Sequence, residues 1–326
     1  MEIENILAKN IAAAGDKAAY DTVCKRLLAN KVILAWIMKS CLEEYGDLGV
    51  NEIAEKYIEG EPQIAGTPVN PDEEANDVGE QIKGTKTEDS TIKEGTVTYD
   101  IRFYALVPGA GERETVSLII NVEAQNDFYP GYPIVKRGIY YCSRMISSQY
   151  GVEFADSHYE KIKKVYSIWV CVNPPKYRKN TIARYTIREE SLVGEVSEKK
   201  ENYDLLTAVM ICIGHSGDDN YGGILKLLDV LLTSEKEPEE KKRILQKDFD
   251  IKMTKKLESE VSELCNLSKG IEDRGIEKGI EKGIREGILS SIRNLMESMG
   301  WSAQQAMEAL KIPEAEQSAY SYNLDK

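Results

Sequence analysis

Residues 19–45 run AYDTVCKRLLANKVILAWIMKSCLEEY, with no proline or glycine before Gly46, and predict a single helix. A second short helix is expected over Gly49–Glu59. Glu61–Gly95 is polar and carries Pro62, Pro68 and Pro71, which predicts a loop with at most one short edge strand near Gln63–Val69. The period then becomes two. Thr96–Val107 alternates, Pro108–Gly111 turns the chain, and Glu114–Gln125 alternates again, which predicts a β-hairpin. Ile134–Tyr150 returns to helical spacing. Val165–Val172 is a buried strand stopped by Asn173-Pro174-Pro175, and Leu205–Gly214 is a further apolar strand or strand-to-loop element. Tyr221–Thr233 predicts a helix, and beyond Glu235 the chain is highly charged with no strand signals.

These elements predict two parts: an α/β domain over residues 1–240, with a mixed sheet flanked by helices, and a helical C-terminal extension over 241–326. The extension contains the sole internal repeat. Gly270, Gly275, Gly279, Gly283 and Gly287 are each followed by isoleucine, with Glu and Lys or Arg between them. Each glycine costs a soluble helix roughly 1 kcal/mol relative to alanine. Close approach of a second helix would offset that cost, so a homo-oligomer through this helix is expected; a frayed helical linker is the alternative. Ile288–Met299 is amphipathic and ends at Gly300. Ser302, with Gln305 three residues on, is a capping box opening a last helix, Ser302–Lys311, before Pro313. This terminal helix-turn-helix-like pair has only Lys311 as a cation on its second helix, which weighs against DNA reading by it.

Composition narrows the class. The 326 residues are 42% hydrophobic and 30% charged, the balance of a folded soluble protein. The longest apolar run, Val32–Met38, is far below the roughly 20 residues a spanning helix needs, so no membrane is expected. The opening MEIENILAKN has acids where a signal peptide carries its basic segment, and a cytoplasmic location is expected. Six cysteines form no C-x-x-C pair, and they are expected to be reduced and mostly buried. Two histidines, His158 and His215, leave little scope for a Ser-His-Asp or Cys-His mechanism. Gly214-His215-Ser216-Gly217 lacks the final glycine of a nucleophile elbow and is expected to be a turn. The net charge of −13 is unevenly spread: Glu43–Glu94 holds 15 acids and 4 bases, Tyr132–Arg188 11 bases and 3 acids. A basic middle inside an acidic shell can still meet a polyanion locally.

The hairpin carries the candidate chemistry. Asp100 lies in an otherwise apolar and aromatic strand. Glu123 and Gln125 stand two apart near the end of the next, hence on one face, and antiparallel pairing can bring Asp100 to them. Two carboxylates at the ends of buried strands repel unless a cation lies between them, and Mg²⁺ takes one or two carboxylates with water and phosphate completing its shell. The alternative is that Asp100 begins an edge-strand bend and Glu123 faces solvent.

Helix, Asp-bearing strand, strand ending in Glu-x-Gln, and a helix with basic and tyrosine residues resemble the PD-(D/E)xK nuclease superfamily, in particular its nuclease-family transposase or recombination-promoting branch. The matching stretches are Asp21-Thr-Val-Cys-Lys25-Arg-Leu-Leu, similar to D-x-x-F-K-x-L-F; Tyr99-Asp100-Ile101; Val122-Glu123-Ala124-Gln125; and Lys136-Arg137-Gly-Ile-Tyr140-Tyr141. The resemblance spans roughly residues 20–290, and the glycine-repeat tail is typical of the branch. The resemblance implies a restriction-endonuclease-like core and a DNA endonuclease acting in transposition or recombination. It implies Asp100 and Glu123 as ligands of Mg²⁺, or alternatively Mn²⁺, with the Ala124 carbonyl as a third. Gln125 stands where the superfamily usually has lysine; it can orient water but supplies no positive charge. Lys25, on the first helix, and Arg137 are candidate replacements. Lys136, Arg137, Tyr141 and Arg144 are the expected DNA contacts. The rival expectation is a catalytically weak or inactive module that binds DNA or assembles through its tail.

Overall fold

The computed structural model describes residues 15, 18–64, 88–91, 95–108, 117–125, 128–215, 220–232, 236–314, 316–317 and 320–321. The expected helix over 19–45 is two helices. The first, α1, covers residues 18–28, and α2 (Lys31–Cys41) starts afresh because the Asn30 side chain accepts from the Val32 N–H and caps it. A 3₁₀ turn, Glu43–Tyr45, follows. The second predicted helix is present as α3 (Val50–Glu52), which widens into a π-turn over Ile53–Tyr57.

Six strands form one mixed sheet: β1 (Gln63–Ile64), β4 (Ile101–Leu106), β5 (Ser117–Gln125), β6 (Val165–Cys171), β8 (Leu206–Cys212) and β7 (Thr181–Thr186), adjacent in that order. Their neighbours β2 (Glu88–Thr91) and β3 (Gly95–Thr98) pair with each other in a separate two-stranded sheet. β4 and β5 are antiparallel, as expected of the predicted hairpin, and their register sets Ile101 opposite Val122. β5, β6 and β8 are parallel. The predicted hairpin is corrected in one respect: its first strand breaks at Tyr99-Asp100, so residues 95–98 leave the main sheet. The loop at Pro108–Gly111 falls largely outside the described residues. β1 is the expected edge strand. β7 was not expected; half-exposed along its length, it closes the other edge antiparallel to β8.

Every residue of β6 is buried, because both faces of the sheet are covered. Ile120, Val122, Ile168, Val170, Val209 and Ile211 face α1, α2 and α6 (Gly223–Leu232). Residues of alternate register, Ile119, Trp169, Cys171, Ala208 and Met210, face α4 (Ile134–Ser147). Gly138 lets α4 lie close, since a Cβ there would stand 2.9 Å from Met210 Cε and 3.1 Å from Trp169 Nε1. Gly214 does the same for the buried Asn180, whose side chain would meet a Cβ at 2.4 Å. All six cysteines are buried and free. A one-turn helix, α5 (Lys200–Tyr203), precedes β8.

The chain divides into two compact units, residues 1–267 and 268–326. Helix α7 (Pro238–Phe249) and the start of α8 (Lys255–Met299) belong to the first: Leu245, Phe249, Leu257, Val261 and Leu264 join the core on the α1 side. Residues 241–267 therefore add to the α/β unit. In the second unit, Ile292 of α8 packs with Ala306 and Met307 of α9 (Ala303–Ala309), Ile312 and Tyr320. The Ser302–Gln305 capping box is formed. Ile276, Ile280 and Ile284 are more than half exposed, and a Cβ at Gly279, Gly283 or Gly287 would meet nothing within 4 Å. Among the described residues no helix is long and apolar enough to cross a membrane.

Candidate functional site

Strand pairing between β4 and β5 stops at Ile101 and Val122, and the next pair of residues closes the sheet through side chains. The Asp100 N–H donates to Glu123 Oε1 at 3.0 Å, and the Ala124 N–H donates to Asp100 Oδ2 at 3.1 Å. Each carboxylate thus takes a backbone donor from the opposite strand, one step past the last ladder pair. This reciprocity explains the break at residue 100: the Asp100 side chain takes the bond that would otherwise go to backbone. It also brings the two carboxylates to the end of the parallel strands. Glu123 is 4% exposed.

A cation is already in contact. Lys25 Nζ of α1 lies 2.8 Å from Asp100 Oδ1 and 2.6 Å from Asp21 Oδ2, one turn earlier on the same helix. Burial pushes the Asp100 carboxyl above its ordinary value, and the Lys25 ammonium pulls it part of the way back. Burial works against the charge of Lys25, but the two aspartates overcome it and hold the ammonium protonated, above its usual value. Asp21 is the member of this cluster that sequence reasoning assigned no role. Its i, i+4 spacing to Lys25 was the available signal.

On the α4 side, Arg137 donates through Nε and Nη2 to the Tyr141 hydroxyl at 3.1 and 2.6 Å, and through Nη1 to Tyr132 at 3.1 Å. Its guanidinium lies 5.3 Å over the Trp169 ring. Burial, then the neighbouring Glu123 carboxylate, raises the Tyr141 hydroxyl's pKa. Burial works against the Arg137 charge, but its Tyr141 and Tyr132 partners, and after them the Glu123 carboxylate, raise its pKa. Gln125 follows on the same strand face, half-buried.

The expected DNA contacts separate into two groups. Lys136 is exposed and Arg137 partly so. Tyr141, at 5% exposure, is covered and serves to position Arg137. Arg144, at 3% exposure with Nη1 on the Tyr140 hydroxyl (3.2 Å), is held inside the fold, a correction to its expected surface role. The basic stretch 132–188 is divided as well. Lys163 and Lys164 sit at the start of β6, the far end from Glu123, bound to Glu153 and to Glu44 and Asp204, and Arg184 is bound to Glu43.

A cleft of about 700 Å³ opens at the C-terminal ends of β5 and β6, where ligands of open α/β sheets commonly sit, and its wall includes Asp21, Ala124, Phe128, Tyr129 and Pro174. Among the described residues no three His, Cys, Asp or Glu side chains cluster as a metal site. The donors present are two carboxylates and a carbonyl, an oxygen set suited to a hard cation that keeps water and substrate in its shell. Compared with family models, curated proteins and solved structures, the chain matches none.

Proposed function

We propose that this chain is a Mg²⁺-dependent DNA endonuclease with a restriction-endonuclease-like core of the PD-(D/E)xK kind, cutting phosphodiester bonds in transposition or recombination within the cytoplasm. The reading is carried by the reciprocal bonding of Asp100 and Glu123 beside Lys25; Ala124, bonded to Asp100, and Asp21, paired with Lys25, line a cleft. Asp100 and Glu123, with the Ala124 carbonyl, would hold Mg²⁺ or Mn²⁺. When bound, such an ion polarises a phosphoryl oxygen and lowers the pKa of a coordinated water. The chain's own groups do the remainder. Gln125 orients water by hydrogen bonding, Lys25 supplies from α1 the positive charge that Gln125 lacks, and Arg137 and Lys136 bind phosphate. Supercoiled plasmid should be nicked or linearised with Mg²⁺ and left intact with EDTA; an intact plasmid in both would remove the enzyme.

The second reading, an inactive module that binds DNA, draws on the Lys25–Asp100 ion pair, since an ammonium on Asp100 Oδ1 already neutralises the carboxylate. The exposed Ile276, Ile280 and Ile284, beside glycines with open space above them, favour self-association through α8 under either reading.

A further inference from the structure

Two loops meet at the C-terminal ends of β5 and β6: the segment after β5 that begins at Phe128, and the 3₁₀ turn Lys176–Arg178 after β6. Tyr129 and Tyr177 are 59% and 72% exposed, yet their hydroxyls lie 2.6 Å apart, so the two rings are held as a pair on the surface. The Phe128 ring stands edge-on to Tyr129 at 5.0 Å, and the Arg178 guanidinium lies 5.4 Å over Phe128 and 5.6 Å over Tyr177. Below the pair is a hollow of about 360 Å³ that reaches Tyr132, the residue that accepts from Arg137. Phe128 and Tyr129 also wall the larger cleft that reaches Asp21 and Ala124, so the same aromatic ridge borders both spaces.

Charge says what the ridge suits. Residues 127–137 and 172–180 carry Lys136, Arg137, Lys176, Arg178 and Lys179 against one acid, Asp127, in a chain of net charge −13. Lys136 and Lys176 are exposed, unlike the paired lysines at the other end of the sheet. Exposed aromatic faces interleaved with cations bind unpaired nucleotides, whose bases are free to stack while phosphates meet the cations; bases in a duplex already stack on each other. A protein partner would meet the rings equally well but has less use for five clustered cations.

We propose that Tyr129 and Tyr177, backed by the buried Phe128 and by Arg178, form a stacking platform for single-stranded DNA, delivering an unpaired or branched strand to the carboxylates. The substrate class rests on the nuclease reading; the binding does not. Fluorescence anisotropy in EDTA, with labelled oligo(dT) against a duplex of equal length, tests it. Wild type should bind the single strand at least about tenfold more tightly than the duplex, and the double variant Tyr129→Ala/Tyr177→Ala should lose about tenfold or more on the strand and little on the duplex. Tyr129→Phe/Tyr177→Phe keeps both rings and should keep the preference. Both sites are exposed, so the variants should melt with wild type. Equal affinity for strand and duplex, absence of strand binding, or an unaffected alanine variant overturns the platform. Plasmid cleavage without strand binding defeats the platform and leaves the nuclease. Strand binding without cleavage does the reverse.

Discussion

At the scale of single residues, Glu123 and Gln125 separate ligand from helper. Glu123→Gln keeps the size of the side chain but removes the charge a cation requires, and cleavage should be abolished. Gln125→Lys places an ammonium where water is to be held and should retain cleavage. Rates on one plasmid substrate distinguish the two, and normal cutting by Glu123→Gln excludes it as a ligand. The Asp100–Lys25 pair adds a pH dependence. The account needs Asp100 ionised, and its carboxyl titrates above the ordinary 3.8 because burial outweighs Lys25. Cleavage should therefore fall, as pH drops, at a higher pH than an exposed aspartate would give. Lys25→Met removes the group that pulls the value down, so the acid limb of its pH–rate profile should move further up. Coincident profiles would show that Lys25 does not act on Asp100.

At the scale of elements, the sequence pattern held where burial imposes it. Alternation located β4 and β5, and helical spacing located α4, because each has one face or both against the core. It missed features decided by partners far along the chain. The break at Asp100 depends on Glu123, 23 residues away. β7 is a half-exposed edge strand whose place depends on β8. The stop between α1 and α2 did have a local signal, Asn30 as an N-cap within an apolar run. Asn30→Ala should cost about 1 kcal/mol in urea unfolding. Gly138→Val should cost more, about 1–3 kcal/mol, because its methyls meet Met210 and Trp169, and it should also weaken DNA binding by moving Arg137. A variant of wild-type stability would mean that α4 does not pack as closely as described.

For the whole molecule, net charge is −13 and the cations Lys136, Arg137, Lys176, Arg178 and Lys179 cluster near the cleft, so DNA binding should rest on their phosphate contacts and should weaken as salt rises. Affinity flat between low and moderate salt contradicts a DNA partner. In the second unit, leucine at Gly275, Gly279 and Gly283 should disrupt self-association while the first unit stays folded, read by light scattering; a wild-type monomer would dispose of the assembly. The candidate site was legible as residues: Asp100, Glu123, Gln125, Lys25 and Arg137 do gather at one end of the sheet. The aromatic ridge was not, since Phe128–Tyr129 and Tyr177-Arg178 are far apart in the chain and meet only because β5 and β6 are parallel neighbours. The central claim is that the Asp100–Glu123 pair is the cutting centre. It is tested most directly by plasmid cleavage with Mg²⁺ using wild type, Asp100→Ala and Glu123→Ala purified in parallel. The account predicts cutting by wild type and loss of it in both variants; equal cutting by all three would contradict it.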